Sequence, residues 1–451
     1  MSDSFEVIVC GAGIAGVSAA YFLAKAGRRD ILLIDEGSPL ALTSSVSTEC
    51  YRNWWPDTDL LRLMNRSIDL MDELADASND AFSLNRRGYL YVTAENLQGS
   101  GLIKQSQRIA DAGAGELRVH SSSNSSYKPA TEQGDPGPAN GADLLLGSEV
   151  IRKFFPYVTP DASAALHVRR AGWLSAQRLG MYLLEQARLM GVKFRSGRVE
   201  EVRLAGHRVT GVTLGTAEQI DCTVFVNAAG PFLRRVGAAM GMTLPVETEL
   251  HLKAVFEDPR GVVGRGAPLL IWSDSQQLPW EDEERALLSA EAETQWLTKP
   301  FAAGAHTRPE GQGASQSILM LWDYKQQSME PVFPPPLDDQ YPEVVLRGLA
   351  TMLPGLRSYF GRAPRAKIDG GYYVKTPENR LLVGPTPIEG VFVLGALSGY
   401  GIMSACGAGE LLAAYVTGSP LPAYAASLAL SRYEDSAYLA RVSSGDEHGE
   451  L

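Results

Sequence analysis

A glycine-rich turn, Gly11-Ala12-Gly13-Ile14-Ala15-Gly16, joins the β-branched run Phe5 to Cys10 to a stretch whose apolar residues recur at helical spacing. Few folds accept that order. The run before the turn is short, apolar and bounded, as expected of a buried parallel strand. After the turn, Ile14, Val17, Ala20, Leu23 and Ala24 mark a helix face until Gly27, and Arg28 and Arg29 follow where cations suit the helix dipole. Each glycine has its own task. Gly11 permits the tight turn, Gly13 lets backbone approach a pyrophosphate, and Gly16 lets the helix pack closely on the strand, while amides at the helix start, those of Ile14 and Ala15, hold the anion.

A second apolar run, Ile31 to Ile34, ends in Asp35 and Glu36, with Asp35 lying 19 positions beyond Gly16. That is close to the spacing of an acid that bonds a ribose hydroxyl. A carboxylate there disfavours a 2′-phosphate, which leaves FAD or NAD. A lone GxGxxG is often an ordinary loop, but here the strand before, the helix after and the distal acid agree.

At 451 residues the chain exceeds a single ordinary core, so two or more domains are expected. The net charge of −11 argues against nucleic acid as a partner. The four cysteines, Cys10, Cys50, Cys222 and Cys406, form no CxxC pair and have no metal-ligand spacing, which fits a reducing compartment and no metal site. The first strand begins almost at the N-terminus, leaving no room for a signal peptide. Residues 391–416 are apolar but interrupted by glycines and Glu410, so no membrane span is expected and a cytoplasmic protein is the default.

Along the chain, the hydroxyl-rich loop Thr43-Ser44-Ser45-Val46-Ser47-Thr48 suits donors facing a diphosphate, and it reads equally well as a cap before a surface helix. Arg52, Trp54 and Trp55 follow at once. Residues 57–78 pattern as an amphipathic helix, 88–93 as a strand, and 96–140 as a Ser/Gly/Asn-rich segment whose part 121–141 reads as a surface excursion. A helix is expected over 175–190, then strands and turns to Leu214 with hairpin glycines at Gly206 and Gly211. The buried strand 223–227 runs into Ala228-Ala229-Gly230-Pro231, small residues that let a ligand come close. Residues 243–365 turn β-rich, with an acidic helical insertion near 281–296. Near the C-terminus, strand 390–395, turn 396–401 and helix 402–416 repeat the opening order and aim a second helix N-terminus at a ligand.

Taken together, VIVCGAGIAGVSAAYFLAKAG, LLIDEG, TSSVST, FVNAAGP and TPENRLLVGP followed by GVFVLGALSGYGIMSACGAGE resemble the D-amino-acid oxidase superfamily of flavoproteins, which includes sarcosine oxidase, glycine oxidase and dimethylglycine dehydrogenase. The resemblance covers nearly the whole chain. It implies an α/β fold in which a Rossmann-like FAD domain (1–85, 145–240 and 366–435) interleaves with a β-sheet-rich substrate domain (86–144 and 241–365). It also implies FAD rather than NAD, with Gly11, Gly13 and Gly16 at the diphosphate and Asp35 at the ribose. Ser44, Ser45 and Thr48 would line the path to the flavin, Val199 the adenine side, Ala229 and Gly230 the pyrophosphate, and Gly399, Gly401, Ile402 and Met403 the pyrimidine edge. Gly371 stands where sarcosine oxidases carry the cysteine that anchors their flavin, so FAD is expected to be noncovalent.

The same resemblance implies an amine or amino-acid-like substrate. Its C–H delivers hydride to flavin N5, the imine is hydrolysed, and oxygen or another acceptor takes the electrons. Tyr373 falls where relatives place a substrate-binding Arg or Tyr, and Met403 replaces a lysine of the sarcosine oxidases. Arg52 and Arg308 are candidates to hold a carboxylate, each of them equally readable as a structural ion pair. Tyr400, Trp54 and Trp322 are candidate aromatic walls that core packing would also explain, and His306 is the histidine of a stretch resembling a strand that faces the flavin. Lys253 and Lys325 are the candidates for an oxygen-activating lysine. Alternatives are a dehydrogenase with a quinone or protein acceptor, a hydroxy-acid oxidant, and a non-catalytic FAD-binding subunit. Oligomeric state leaves no trace in the sequence.

Overall fold

The computed structural model describes residues 3–96, 102–122, 124–130 and 139–444. Its first sheet grows outward from strand Asp3–Cys10, which pairs in parallel with Ile31–Asp35 on one side and Gln219–Asn227 on the other. Lys193–Ser196 extends the sheet beyond Ile31–Asp35, and Val391–Gly395 lies beside the end of Gln219–Asn227. The chain thus leaves the first strand to one side and later returns on the other. That reversal is a topological switch point, where the carboxyl ends of parallel strands open a crevice.

Helix Ile14–Lys25 packs against helix Gly401–Thr417, and both are buried on nearly every face. The contact is close: Ser18 Oγ donates to the Ala405 carbonyl at 2.6 Å, and a Cβ on Gly409 would lie 2.3 Å from that same hydroxyl. Fully buried Leu23 and nearly buried Phe22 each contribute about 2 kcal/mol to this core. The two glycine turns are therefore fixed side by side although they lie at opposite ends of the chain.

The second sheet has nine strands in the order Lys367–Lys375, Glu247–Glu257, Ser317–Leu321, His306–Pro309, Leu269–Trp272, Tyr89–Thr93, Ala164–Val168, Ala142–Leu146 and Leu117–His120. It packs one face on helix Tyr341–Met352 through a second core that holds Phe256, Met320 and Trp322.

Sheet membership redraws the expected segment boundaries. Ala164–Val168 and Lys367–Lys375, assigned from sequence to the FAD domain, pair into the second sheet, because antiparallel partners on Tyr89–Thr93 and Glu247–Glu257 complete their ladders. The Ser/Gly/Asn-rich segment contains helix Leu102–Ile109 and strand Leu117–His120. Within the expected surface excursion, residues 123 and 131–138 lie outside the described residues. Gly211 does not turn a hairpin. It sits inside strand Arg208–Leu214, where a Cβ would lie 2.3 Å from the Ile220 carbonyl oxygen. The remaining helices fall close to expectation, as Thr58–Ser78 capped by Asp57 and Ala176–Leu189 capped by Ser175.

Candidate functional site

A cavity of about 330 Å³ opens at the switch point and runs past both glycine turns. Gly11, Gly13, Ile14 and Ala15 form its floor, Asp35, Glu36, Arg198 and Val199 one end, and Gly395 to Ser398 with Gly401 the other. Gly11 has φ +105°, and a Cβ there would lie 2.3 Å from the Ala228 carbonyl oxygen, so both backbone angle and clearance require glycine. Gly16 works inside the turn: its hydrogen faces the Gly11 carbonyl, where a Cβ would stand at 1.8 Å. Asp35 braces the loop by accepting from the amides of Ala12 at 2.6 Å and Gly37 at 2.8 Å. A carboxylate offers about four acceptor positions, so capacity for ribose hydroxyls remains. Ser44 Oγ accepts from the Ile14 amide at 3.0 Å, placing a hydroxyl at the helix start.

The second turn carries a sharper sign of a ligand. Ala396 and Ser398 hold positive φ of 53° and 47°, conformations that cost non-glycine residues of the order of 1 kcal/mol or more. The Ser398 hydroxyl is buried and has no hydrogen-bond partner among the described residues, yet Ser398 lines the cavity. An orphaned buried hydroxyl and a cradle that a Cβ would fill both fit a long polar cofactor spanning the turns. Cys10 is the cysteine among the lining residues, and burial pushes its thiol up to about 12, so it is no nucleophile at neutral pH.

A smaller inner pocket adjoins the first and shares Ile14, Thr43, Ser44, Ser398 and Gly401 with it. Thr48, Gly399, Ile402 and Tyr373 line it, and so do His251 and Lys253. A Cβ on Gly399 would lie 2.6 Å from the Tyr373 ring, so the glycine lets that ring close on the turn. On its other face Tyr373 stacks on His251. Both His251 nitrogens meet carboxylates, Nδ1 with Asp323 Oδ1 at 2.7 Å and Nε2 with Glu249 Oε2 at 3.1 Å, and Lys375 Nζ also reaches Glu249 at 2.8 Å. Ionised carboxylates only accept, so both ring nitrogens donate and His251 is an imidazolium. Burial alone would favour its neutral form; the hydrogen bonds to Asp323 and Glu249 outweigh this and raise its pKa.

Farther along the same sheet, Tyr91, Ile271, His306 and Leu321 stand in one register row across four strands. Tyr91 and Ile271 are the half-buried positions of otherwise buried strands, and His306 is half-buried too. Burial pushes the Tyr91 phenol up and the His306 imidazole down. His306 lies within electrostatic reach of both Arg52 and Asp323, so these groups flank one partly accessible recess, the chamber. The Asp323 side chain is 36% accessible, and burial, which alone would raise its pKa, is outweighed by the His251 hydrogen bond, which lowers it. His306 Nδ1 lies 2.7 Å from the Gly304 carbonyl, so it donates there and leaves Nε2 as an acceptor in the neutral ring. Arg52 donates to the Tyr91 hydroxyl and lies over the Trp55 ring at 4.4 Å. Among the described residues it has no carboxylate partner.

The structure thus brings Arg52, His306 and Tyr373 to one side of the second sheet, and it places other candidates elsewhere. Tyr400 is buried, its hydroxyl donating to the Asn379 carbonyl at 2.5 Å and its ring edge-on to Trp55. Trp54 and Trp322 belong to the two cores. Ser45 Oγ donates to the Ala41 and Leu42 carbonyls, closing its own turn. Met403 is buried and lines neither cavity, whereas Ala229 and Gly230 line the large one. Arg308 is consumed by Glu310 at 2.7 Å and the Thr48 carbonyl at 3.0 Å. Lys253 Nζ donates to the Ser47 carbonyl at 3.0 Å within the inner pocket, while Lys325 pairs with Asp338 at the surface. His251, Asp323 and Ser398 escaped the sequence reading. The alternation Glu249-x-His251-x-Lys253 in an otherwise apolar strand was the available signal for the first of these.

A family model described as DAO, FAD dependent oxidoreductase, matches residues 6–415. The mitochondrial dimethylglycine dehydrogenase of Rattus norvegicus is 24% identical over 417 residues, covering 91% of this chain and 42% of that protein. The mitochondrial pyruvate dehydrogenase phosphatase regulatory subunit of Mus musculus is 22% identical over 412 residues, covering 90% and 40%. The chain therefore spans about two fifths of the length of these curated relatives. The crystal structure of L-proline dehydrogenase from P. horikoshii shares the fold, with TM-score 0.73 at 18% identity over 96% of this chain and 99% of that one. No helix among the described residues is long and apolar enough to cross a membrane. With the two glycine turns framing one cavity and the family match running through both, the chain belongs to the DAO family of FAD-dependent oxidoreductases.

Proposed function

We propose that the chain oxidises a C–N bond of an amine or amino-acid-like substrate, with hydride leaving the α-carbon for noncovalent FAD, water hydrolysing the imine, and oxygen taking the electrons. Bound FAD supplies the two-electron acceptor. Gly11, Gly13 and the Ala15 amide would serve its diphosphate, Asp35 the ribose, Val199 and Gly230 the flanks, and Ser398, Gly399, Gly401 and Ile402 the flavin end.

The carrying observation is the contrast between two arginines. The terminal nitrogens of Arg308 are taken by Glu310 and backbone carbonyls, whereas Arg52 has a phenol and an indole for neighbours and, among the described residues, no carboxylate counter-ion. A cation of that kind beside an interior chamber anchors a substrate carboxylate. His306 Nε2 accepts from the substrate, and the Tyr373 ring, wedged against Gly399, fixes which face is presented. Orientation and exclusion of water are what such a site contributes.

Two other readings remain attached to observations. Relatives named dehydrogenases favour a different electron acceptor, and one relative named a regulatory subunit favours a non-catalytic flavoprotein. The test is to release flavin by acid precipitation and then to screen amines, amino acids and hydroxy acids for anaerobic bleaching, followed by hydrogen peroxide assay in air. Bleaching by amines with peroxide formation is expected. Bleaching without peroxide moves the reading to a dehydrogenase, and a flavin that nothing bleaches moves it to a binding subunit.

A further inference from the structure

The geometry points to Asp323 as the specificity-determining residue of the chamber, its carboxylate accepting an N–H of the substrate's ammonium group on binding while His251 and Glu249 position it; that group gives its extra proton to water before hydride leaves the α-carbon. This rests on the amine reading above and deepens it by naming the group that separates amines from hydroxy acids.

Three observations carry it. First, Asp323 and Arg52 both lie within electrostatic reach of His306, which places the carboxylate beside the chamber. The Asp323 side chain is 36% accessible, and the next residue back, Trp322, is locked in the second core with its indole N–H on the Ala302 and Ala303 carbonyls. Second, only half of the carboxylate is used. Oδ1 accepts from His251 Nδ1 at 2.7 Å, and Oδ2 carries no hydrogen bond among the described residues. Third, the support behind it is rigid. His251 is held from the far side by Glu249, which Lys375 holds in turn, and Tyr373 covers its ring face. A fixed imidazolium keeps Asp323 ionised and stops it from rotating, so that Oδ2 is presented as a preformed acceptor.

The charges around the chamber then have a pattern. Among the described residues Arg52 has no carboxylate partner, His306 is neutral, and Asp323 is an anion with one oxygen that accepts no hydrogen bond. A zwitterion matches both ends. A hydroxy acid would satisfy Arg52 but set a neutral hydroxyl against Asp323, and a simple carboxylate would leave Asp323 with nothing to bind. A fixed anion beside the chamber therefore favours the amine.

The test uses the FAD-loaded protein and two isosteric carboxylates that lack an α C–H and so cannot be oxidised: 2-aminoisobutyrate, which carries an ammonium with N–H donors, and 2-hydroxyisobutyrate, which carries a neutral hydroxyl in its place. Binding is read from the perturbed flavin absorption and by calorimetry. In wild type, 2-aminoisobutyrate is expected to bind at least tenfold more tightly. Asp323→Asn should abolish that preference by weakening 2-aminoisobutyrate alone, and Asp323→Glu should restore part of it. Equal weakening of both probes in Asp323→Asn, or retention of the preference, overturns the assignment. Should Asp323→Asn not retain FAD, the wild-type comparison and Asp323→Glu decide, since equal binding of the two probes in wild type, or an unchanged preference in Asp323→Glu, is also fatal. A wild type that prefers 2-aminoisobutyrate but is bleached by no amine would sink the proposed function while leaving the recognition of an ammonium standing.

Discussion

The rings of His251 and Tyr373 lie face to face, with centroids 3.8 Å apart and planes 17° from parallel, although the residues sit on neighbouring strands that place His251 opposite Gly371. Gly371 itself makes room for the hydroxyl-rich loop, since a Cβ there would lie 2.8 Å from the Val46 side chain. Because the imidazolium's raised pKa exceeds its unfolded value of about 6.5, its contribution to stability is complete below about pH 6.5 and is lost as pH rises through the folded value. Glu249 is the opposite case: the His251 hydrogen bond leads in lowering it to about 2, so its contribution disappears as pH falls below about 4.3. The margin of wild type over His251→Gln, measured by urea unfolding, should be greatest between about pH 4.5 and 6.5. A margin that grows above pH 8 would contradict the imidazolium assignment.

Gly399→Ala should disturb the same stack from its other side. The new methyl would enter at 2.6 Å from the Tyr373 ring, so either ring or turn must move. Overpacking of this kind costs about 1–3 kcal/mol. The expected result is a lower melting temperature together with weaker FAD retention, followed by flavin fluorescence on dilution. Gly27→Ala is the control, since no atom lies within 4 Å of its Cβ position and its φ of +91° would cost stability alone, without touching the flavin end.

What the sequence disclosed follows from how local each requirement is. The turn at Gly11 to Gly16 needs glycine for reasons contained within six residues and one neighbouring strand end, so strand, turn and helix could be read directly. The late turn was legible for the same reason. The chamber was not. Asp323 and Tyr373 both meet His251 because Glu247–Glu257 lies between Lys367–Lys375 and the strand that leads to Asp323, and no spacing along the chain encodes that pairing. Likewise the sequence does not show that Ala164–Val168, within the segment expected in the FAD domain, pairs with Tyr89–Thr93, because a buried strand looks alike in either partner set. Tyr400 and Arg308 carry side chains suited to a site, and only the structure shows that backbone carbonyls and Glu310 already occupy them.

Ser398→Ala separates a cofactor contact from a structural one. The hydroxyl is buried without a partner, so its removal should leave the apoprotein unchanged or slightly more stable. If FAD supplies the missing partner, the holoprotein should lose about 0.5–1.5 kcal/mol of binding, or roughly two- to tenfold in affinity. Titration of apoprotein with FAD measures this, and unchanged affinity would remove Ser398 from the cofactor site.

The two arginines should fail in different ways. Arg308 is 2% exposed and its guanidinium lies 2.7 Å from Glu310, so Arg308→Met strands a carboxylate and frees the Thr48 carbonyl. The loss of stability should stay below the about 3–5 kcal/mol of a fully buried pair, because Glu310 keeps 29% of its side-chain surface exposed. Arg52→Met removes no ion pair and should leave folding nearly intact. Its effect should fall on KM for carboxylate substrates, raised about ten- to a hundredfold if one charged hydrogen bond worth about 1.5–3 kcal/mol is lost, with kcat less affected. Urea unfolding and steady-state kinetics on both variants check the pair. A KM effect in Arg308→Met with none in Arg52→Met would reverse the assignment, moving the carboxylate anchor from the Tyr91 side of the chamber to the Thr48 loop.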